Sequence, residues 1–287
     1  MAPESPLVAA WELGVRLKEA REQVGMTGTK AAEAIGVTQN YLSNIEHGRR
    51  KIAESKLTAL LETYLLDAAE SAELVELRKA ADGRGWWSRY SGLFAPELLR
   101  YFGFEHGAEE IRSYESGVMS GLLQTREYAH AVHSGDRANL RGSEIDRRVE
   151  ARQVRQRRIT GPDPLRAVIL LTEGALRQQV GGPRVLAQQL EHVLDLVHAH
   201  ADTLTVRVMP FTAGSYGAMG SSTFHLLTFP STRLRRLAWV ESVTSFNLID
   251  SDLRVHQCSL SFDEALDKTA DPVSSEEIIR EVLNSIA

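Results

Sequence analysis

The sequence predicts an α+β protein, with an N-terminal all-α domain joined to a larger mixed α/β domain. Three observations lead there. Apolar residues recur at helical spacing through residues 13–77. Beyond Gly161-Pro162-Asp163-Pro164 the pattern shifts toward the alternation of strands. The 287 residues also exceed what one small helical unit needs, so a second core is expected. Asp82-Gly83-Arg84-Gly85 is the natural joint, dividing the chain into 1–82 and 83–287.

In the first part, Leu13, Leu17, Ala20 and Val24 mark a helix. The segment from Met26 to Ile52 reads as two short helices meeting at Gly36-Val37. A glycine there supplies the left-handed backbone that ends one helix, and Thr38 caps the next. Ala31, Ala32, Ile35, Val37, Leu42 and Ile45 fall where the two helices would meet. Leu57, Leu60, Leu61, Tyr64 and Leu65 predict a closing helix, part of whose stripe is alternatively a dimer face. A further helix carries Glu70, Glu73, Leu74, Glu76 and Leu77.

The second short helix leaves Gln39, Asn40, Ser43 and Asn44 facing outward. Short uncharged amides and hydroxyls both donate and accept, which is what base edges in a major groove require. Thr38, Lys30, Arg49, Arg50 and Lys51 are placed for phosphate oxygens. Residues 13–58 hold eight basic against five acidic side chains, an excess of three positive charges on a chain whose net charge is -5. A modestly basic reader on an acidic body favours specific, salt-sensitive binding over indiscriminate coating.

The run A-x-x-I-G-V-T-x-x-Y-L-S-x-I-E-x-G, from Ala32 to Gly48, resembles the XRE (Cro/repressor) family of helix-turn-helix domains. That resemblance implies a DNA-binding transcriptional regulator, dimeric on a palindromic operator of double-stranded DNA. It departs at Gly28, where members commonly carry a glutamine after the capping Thr or Ser, and this implies a looser phosphate clamp.

After the joint, Trp86-Trp87 opens a new composition. Two readings stand: the indoles anchor the linker on the second core, or one of them lines a ligand or partner surface. Residues 102–128 read as helical with breaks at Gly117 and Gly121. Residues 143–160 form a helix with six arginines, either a solvated face or a contact with flanking DNA or an acidic partner. Strands are expected at 167–171, 205–211, 223–229, 237–242 and 246–249, with an interrupted helix over 175–201. Ser274 and Glu277 match a capping box for a C-terminal amphipathic helix. Glu173 and Glu241 sit at predicted strand ends, facing one cleft if the strands align. There they bind a cationic ligand, orient a partner's arginine, or cap neighbouring backbone groups.

Several blocks in order, among them Ile111-Arg112-x-Tyr114-Glu115, Gly121-Leu122-Leu123-Gln124-Thr125, Thr172-Glu173-Gly174-Ala175-Leu176 and Val208-Met209-Pro210-Phe211, resemble the DUF5753 domain of actinobacterial antitoxin-like regulators. The resemblance implies control by a small partner protein encoded nearby; Trp86, Trp87, Glu173 and Glu241, singled out above by their residue type and position, are the candidate partner or ligand residues.

Little else points to chemistry. No nucleophile elbow, dinucleotide fingerprint, P-loop or H-E-x-x-H pattern occurs, so no enzyme and no cofactor are expected. Cys258 is the only cysteine, and the His130/His133 and His198/His200 pairs lack further ligands at defined spacing, so no metal is expected. A cytoplasmic location with no membrane partner follows from the lack of a long apolar run and of a signal peptide. The Gly214, Gly217 and Gly220 loop reads as a flexible connection or as an anion cradle.

Overall fold

The computed structural model describes residues 2–136, 141–242 and 245–286. Five helices come first: α1 (Pro6–Gln23), α2 (Gly28–Ala34), α3 (Gln39–Glu46), α4 (Glu54–Thr63) and α5 (Ala68–Ala81). Leu13, Leu17, Ala31, Ile35, Leu42, Ile45, Leu57, Leu60 and Tyr64 close their core. Leu65 departs from the expected stripe. Helix α4 stops at Thr63, and Leu65 takes a left-handed φ of 56° and lies 83% exposed, turning the chain toward the Asp67 cap of α5.

A 3-10 turn, Trp86–Tyr90, leads into α6 (Pro96–Gly107) and β1 (Glu110–Glu115). Then follow α7 (Arg126–Gly135), α8 (Ile145–Thr160), β2 (Arg166–Thr172), α9 (Glu173–Arg177), α10 (Pro183–Ala199) and β3 (Leu204–Met209). β4 (Phe224–Thr228), β5 (Leu237–Glu241), β6 (Phe246–Ile249), α11 (Asp252–Lys268) and α12 (Pro272–Ile286) complete the chain. The sheet runs β3-β2-β1-β4-β5-β6. Its β1, β2 and β3 are parallel through helical crossovers, while β4 runs against both β1 and β5, and β6 against β5.

β1 replaces the helix expected across its residues. It is a central strand, yet its face toward α6 carries Ile111, Ser113 and Glu115, so polar residues stand where an apolar repeat would have announced a strand. α11 has no counterpart among the elements expected from the sequence, and α12 begins before the expected cap. Asp271 accepts from the backbone N–H groups of Val273 (2.9 Å) and Ser274 (3.0 Å), so Ser274 sits inside the first turn. The helix at α8 is as expected, but its arginines are not all solvated: Arg155 and Arg158 are buried.

α1 belongs to both cores. Leu13, Leu17 and Ala20 face the helical domain, whereas Trp11 packs edge-on against Phe104 at 5.5 Å and Phe229 at 5.3 Å in the core under the sheet. Ser5 Oγ donates to Gly103 O at 2.7 Å, Ser231 Oγ to Glu12 at 2.7 Å, and Arg233 pairs with Glu19 at 3.2 Å. Among the described residues no helix is long and apolar enough to cross a membrane.

Candidate nucleic-acid interface

The turn between α2 and α3 is built as the sequence predicts. Gly36 takes φ +63°, and the Thr38 hydroxyl accepts from Tyr41 N–H at 3.2 Å. Thr27 caps α2 in the same way, accepting from Lys30 N–H at 3.3 Å. Leu42, Ile45 and Glu46 turn inward, which directs the opposite face of α3 outward. Gln39 and Asn40 are exposed, and Ser43 and Asn44 are half-buried. The Asn44 amide folds back, donating to Asn40 O at 2.8 Å and Asn40 Oδ1 at 3.3 Å, so these two side chains form one unit.

Helix α3 is held by a buried ion pair. Arg21 on α1 grips Glu46 through Nε (2.6 Å) and Nη2 (3.1 Å), with both side chains nearly enclosed. A third guanidinium nitrogen, Nη1, donates to Met26 O at 2.8 Å. This explains the Ile-Glu-x-Gly ending in physical terms: the glutamate joins α3 to α1. Gly48, at φ +63°, lies where a Cβ would come within 2.6 Å of Trp11 Cα.

Cations cluster past the end of α3. Arg49, Arg50 and Lys51 are exposed, and Arg50 stacks on the Tyr41 ring at 4.6 Å, which orients it. Among the described residues, Lys30, Arg49 and Arg50 have no carboxylate within ion-pair distance. Arg16, Lys18, Arg21 and Lys51 do, with Glu73, Glu22, Glu46 and Asp82 respectively. Lys51 also approaches Gly83 O at 3.5 Å, which ties it to the joint. Lys56 donates to Ile35 O at 2.5 Å and so closes α2. The uncommitted positive charge therefore concentrates beside the exposed amides.

His47, not among the contacts expected from the sequence, lies beside this face. It is exposed one turn beyond Ser43 and Asn44, and its Nδ1 lies 2.7 Å from Ser43 O. Nδ1 must donate to that carbonyl, which leaves Nε2 of a neutral ring as an outward acceptor. Its i+3 and i+4 spacing from Asn44 and Ser43 was the available signal.

The other candidates lie elsewhere. Trp87 is buried and Trp86 half-buried, with the Trp86 ring stacked on Phe102 at 5.6 Å, so both anchor the joint on the second core. Glu173 pairs with Arg177 at 2.8 Å and accepts from Phe211 N–H at 2.8 Å. Glu241 accepts from Trp239 Nε1 at 2.8 Å. Glu173, in the first turn of α9 just past β2, and Glu241, at the end of β5, stand at the same edge of the sheet but three strand positions apart, roughly 14 Å at ordinary strand spacing.

Beneath that edge runs a buried polar network. Arg155 donates to Glu105 through Nε (2.8 Å) and Nη2 (2.7 Å). Tyr101 Oη donates to Glu105 Oε2 at 2.8 Å and lies 2.7 Å from His225 Nδ1. His225 Nε2 is 3.3 Å from Glu115, close enough for charge attraction although out of line for a hydrogen bond. Burial opposes charge throughout. Even so, Arg155 holds the Glu105 carboxyl below its usual pKa, and Glu115 holds the His225 imidazole above its own. Burial and the neighbouring Arg155 lower Arg152 to about 10, and burial beside Arg152 and Arg148 lowers His133 to about 3.

A family model described as a helix-turn-helix domain matches residues 12–74, and one described as a domain of unknown function (DUF5753) matches residues 98–281. No curated protein and no solved structure matches the chain. The helix-turn-helix match points to a DNA-binding regulator.

Proposed function

We propose, from the premise that this chain belongs to the DUF5753 family and carries a helix-turn-helix domain ahead of the family region, that it is a sequence-specific transcriptional regulator. It acts by binding and not by catalysis. It works as a homodimer, placing one α3 in each of two major-groove segments about 34 Å apart, and takes its signal from a small partner protein that docks on the DUF5753 domain.

One observation carries the reading: an exposed face of α3 bearing Gln39 and Asn40, flanked by Arg49 and Arg50, which have no carboxylate partner among the described residues. Gln39, Asn40, Ser43 and Asn44 read base edges. Thr38, Lys30, Arg49, Arg50 and Lys51 position the protein on phosphates. Control by a partner is supported by α1, which shares residues with both cores, so a displacement at α6 reaches α3 through Trp11 and the Arg21–Glu46 pair. The partner must prefer one of two arrangements, because equal affinity for both would shift nothing.

A mobility-shift titration on the protein's own promoter region tests this. Gln39→Ala and Asn40→Ala are each expected to weaken binding about tenfold, in line with the roughly 1–3 kcal/mol a good base contact contributes. Unchanged affinity for both variants rules out the base-reading assignment. Sedimentation of the complex should return two protein chains per operator. One chain per operator with full affinity contradicts the dimer, and failure of any neighbouring gene product to co-purify contradicts the partner.

A further inference from the structure

An open cleft of about 280 Å³ lies where the helix-turn-helix domain meets the rest of the chain. Its walls come from the first turns of α1, the segment after α3, the joint and the 3-10 turn that follows it. Leu7, Ala10 and an edge of Trp87 give an apolar floor, and Arg49, Arg50 and Arg84 stand around it. Among the described residues none of these three guanidinium groups has a carboxylate within ion-pair distance, whereas neighbouring Lys51 is drawn to Asp82 at 3.9 Å. The volume sits just below the range of about 300–1,000 Å³ usual for small-molecule sites.

Unpaired cations around an apolar floor select a particular chemistry. A bare inorganic anion would use the guanidinium groups and leave the floor wet. A neutral apolar molecule would leave the cations unanswered. A small anion with a flat apolar body uses both, its charged group on the arginines and its body against Leu7 and Trp87.

We infer that this cleft binds a small organic anion of that kind, such as an aryl phosphate or aryl carboxylate, and that its occupation excludes operator DNA. The exclusion rests on the proposed DNA reading, because Arg49 and Arg50 are assigned there to phosphates. The site itself does not depend on that assignment. Linkage requires the two effects to be reciprocal: anion lowers affinity for DNA by the factor by which DNA lowers affinity for anion.

Calorimetric titration of the full chain with phenyl phosphate, and separately with inorganic phosphate at matched ionic strength, tests the site. Saturable binding of one phenyl phosphate per chain is expected, with inorganic phosphate at least tenfold weaker. Ser88 lines the cleft and is exposed, and no side-chain hydrogen bond holds it among the described residues, so Ser88→Glu places a negative charge there without loss of packing. Ser88→Glu should weaken phenyl phosphate at least tenfold with an unchanged melting midpoint, and Arg84→Gln should weaken it severalfold. No binding, equal affinity for the two probes, or equal affinity in both variants overturns the site. In a mobility-shift assay, phenyl phosphate should release DNA at concentrations near its calorimetric Kd while inorganic phosphate at the same ionic strength does not. Calorimetric binding without release overturns the exclusion and leaves the site standing. A chain that binds no DNA in the absence of probe overturns the exclusion together with the DNA reading, and calorimetry still decides the site.

Discussion

Helix α3 turns Gln39 and Asn40 to solvent and, among the described residues, leaves Arg49 and Arg50 beyond its end without a carboxylate, whereas α8 turns Arg155 onto Glu105 and Arg158 onto Ala108 O at 2.7 Å. Both helices are written largely in polar residues, and the fold uses them oppositely. What separates them is the supply of partners. The face of α6 and β1 opposite α8 offers Glu105, Tyr101 and backbone carbonyls to the arginines, while the one carboxylate that α3 itself carries, Glu46, is already taken by Arg21. Charge density along a helix therefore does not mark an interface. Unanswered charge does.

The largest expected effect breaks the inward case. Glu105 is 1% exposed, and Glu105→Ala leaves Arg155 buried and unpaired, so unfolding by urea should show a loss of about 3–5 kcal/mol. A loss under about 1 kcal/mol would mean that Arg155 finds water and that α8 is not the enclosed helix described above. Removing the exposed side chains of α3 should leave stability within about 0.5 kcal/mol.

A smaller effect is expected from pH. The folded His225 pKa lies above its unfolded value near 6.5, so its contribution is full below about pH 6.5 and is lost as pH rises through the folded value. Glu105 and Glu115 lie below their unfolded values near 4.3, so theirs is present above about pH 4.3 and lost on acidification. The urea midpoint should fall from pH 6 to pH 8 in the native chain, and His225→Gln should flatten that fall. An identical slope in the variant would remove His225 from the account.

The smallest effect sharpens the outward case. A Cβ at Gly28 would lie 3.9 Å from the Gln39 side chain, in ordinary contact. Gly28→Ala should stabilise the chain by about 0.5–1 kcal/mol through the unfolded state. Destabilisation in thermal melts would show that the start of α2 is tighter than the contacts indicate.

How legible was all this in the sequence? The α2–α3 unit was, because Gly36, Thr38 and the Ala32–Ile45 spacing are local signals and local geometry decides the turn. β2 was readable as a short apolar run, β3 from alternation, and β4 to β6 as the short strand-like segments that follow it. β1 was not, since Ser113 and Glu115 occupy its inward face, where Ser113 donates to Glu115 and Glu115 lies 3.3 Å from the ring of His225, distant in the chain but on the adjacent strand β4. The second role of α1 was also hidden, although Leu7, Trp11 and Val15 form a stripe offset from Leu13, Leu17 and Ala20. Two stripes on one helix mean two partners. Trp86-Trp87 pointed to the second core, but the cleft beside Trp87 depends on how four distant segments meet, and no local pattern encodes that.

The salt dependence of operator binding tests the contrast between the two helices most directly. Arg49→Gln should reduce the magnitude of the slope of log K against log salt by about 0.9, the contribution of one neutralised phosphate, whereas Arg157→Gln, at an exposed arginine of α8, should leave it unchanged. A slope that Arg157→Gln lowers and Arg49→Gln does not would place the DNA on the other helix and contradict the account.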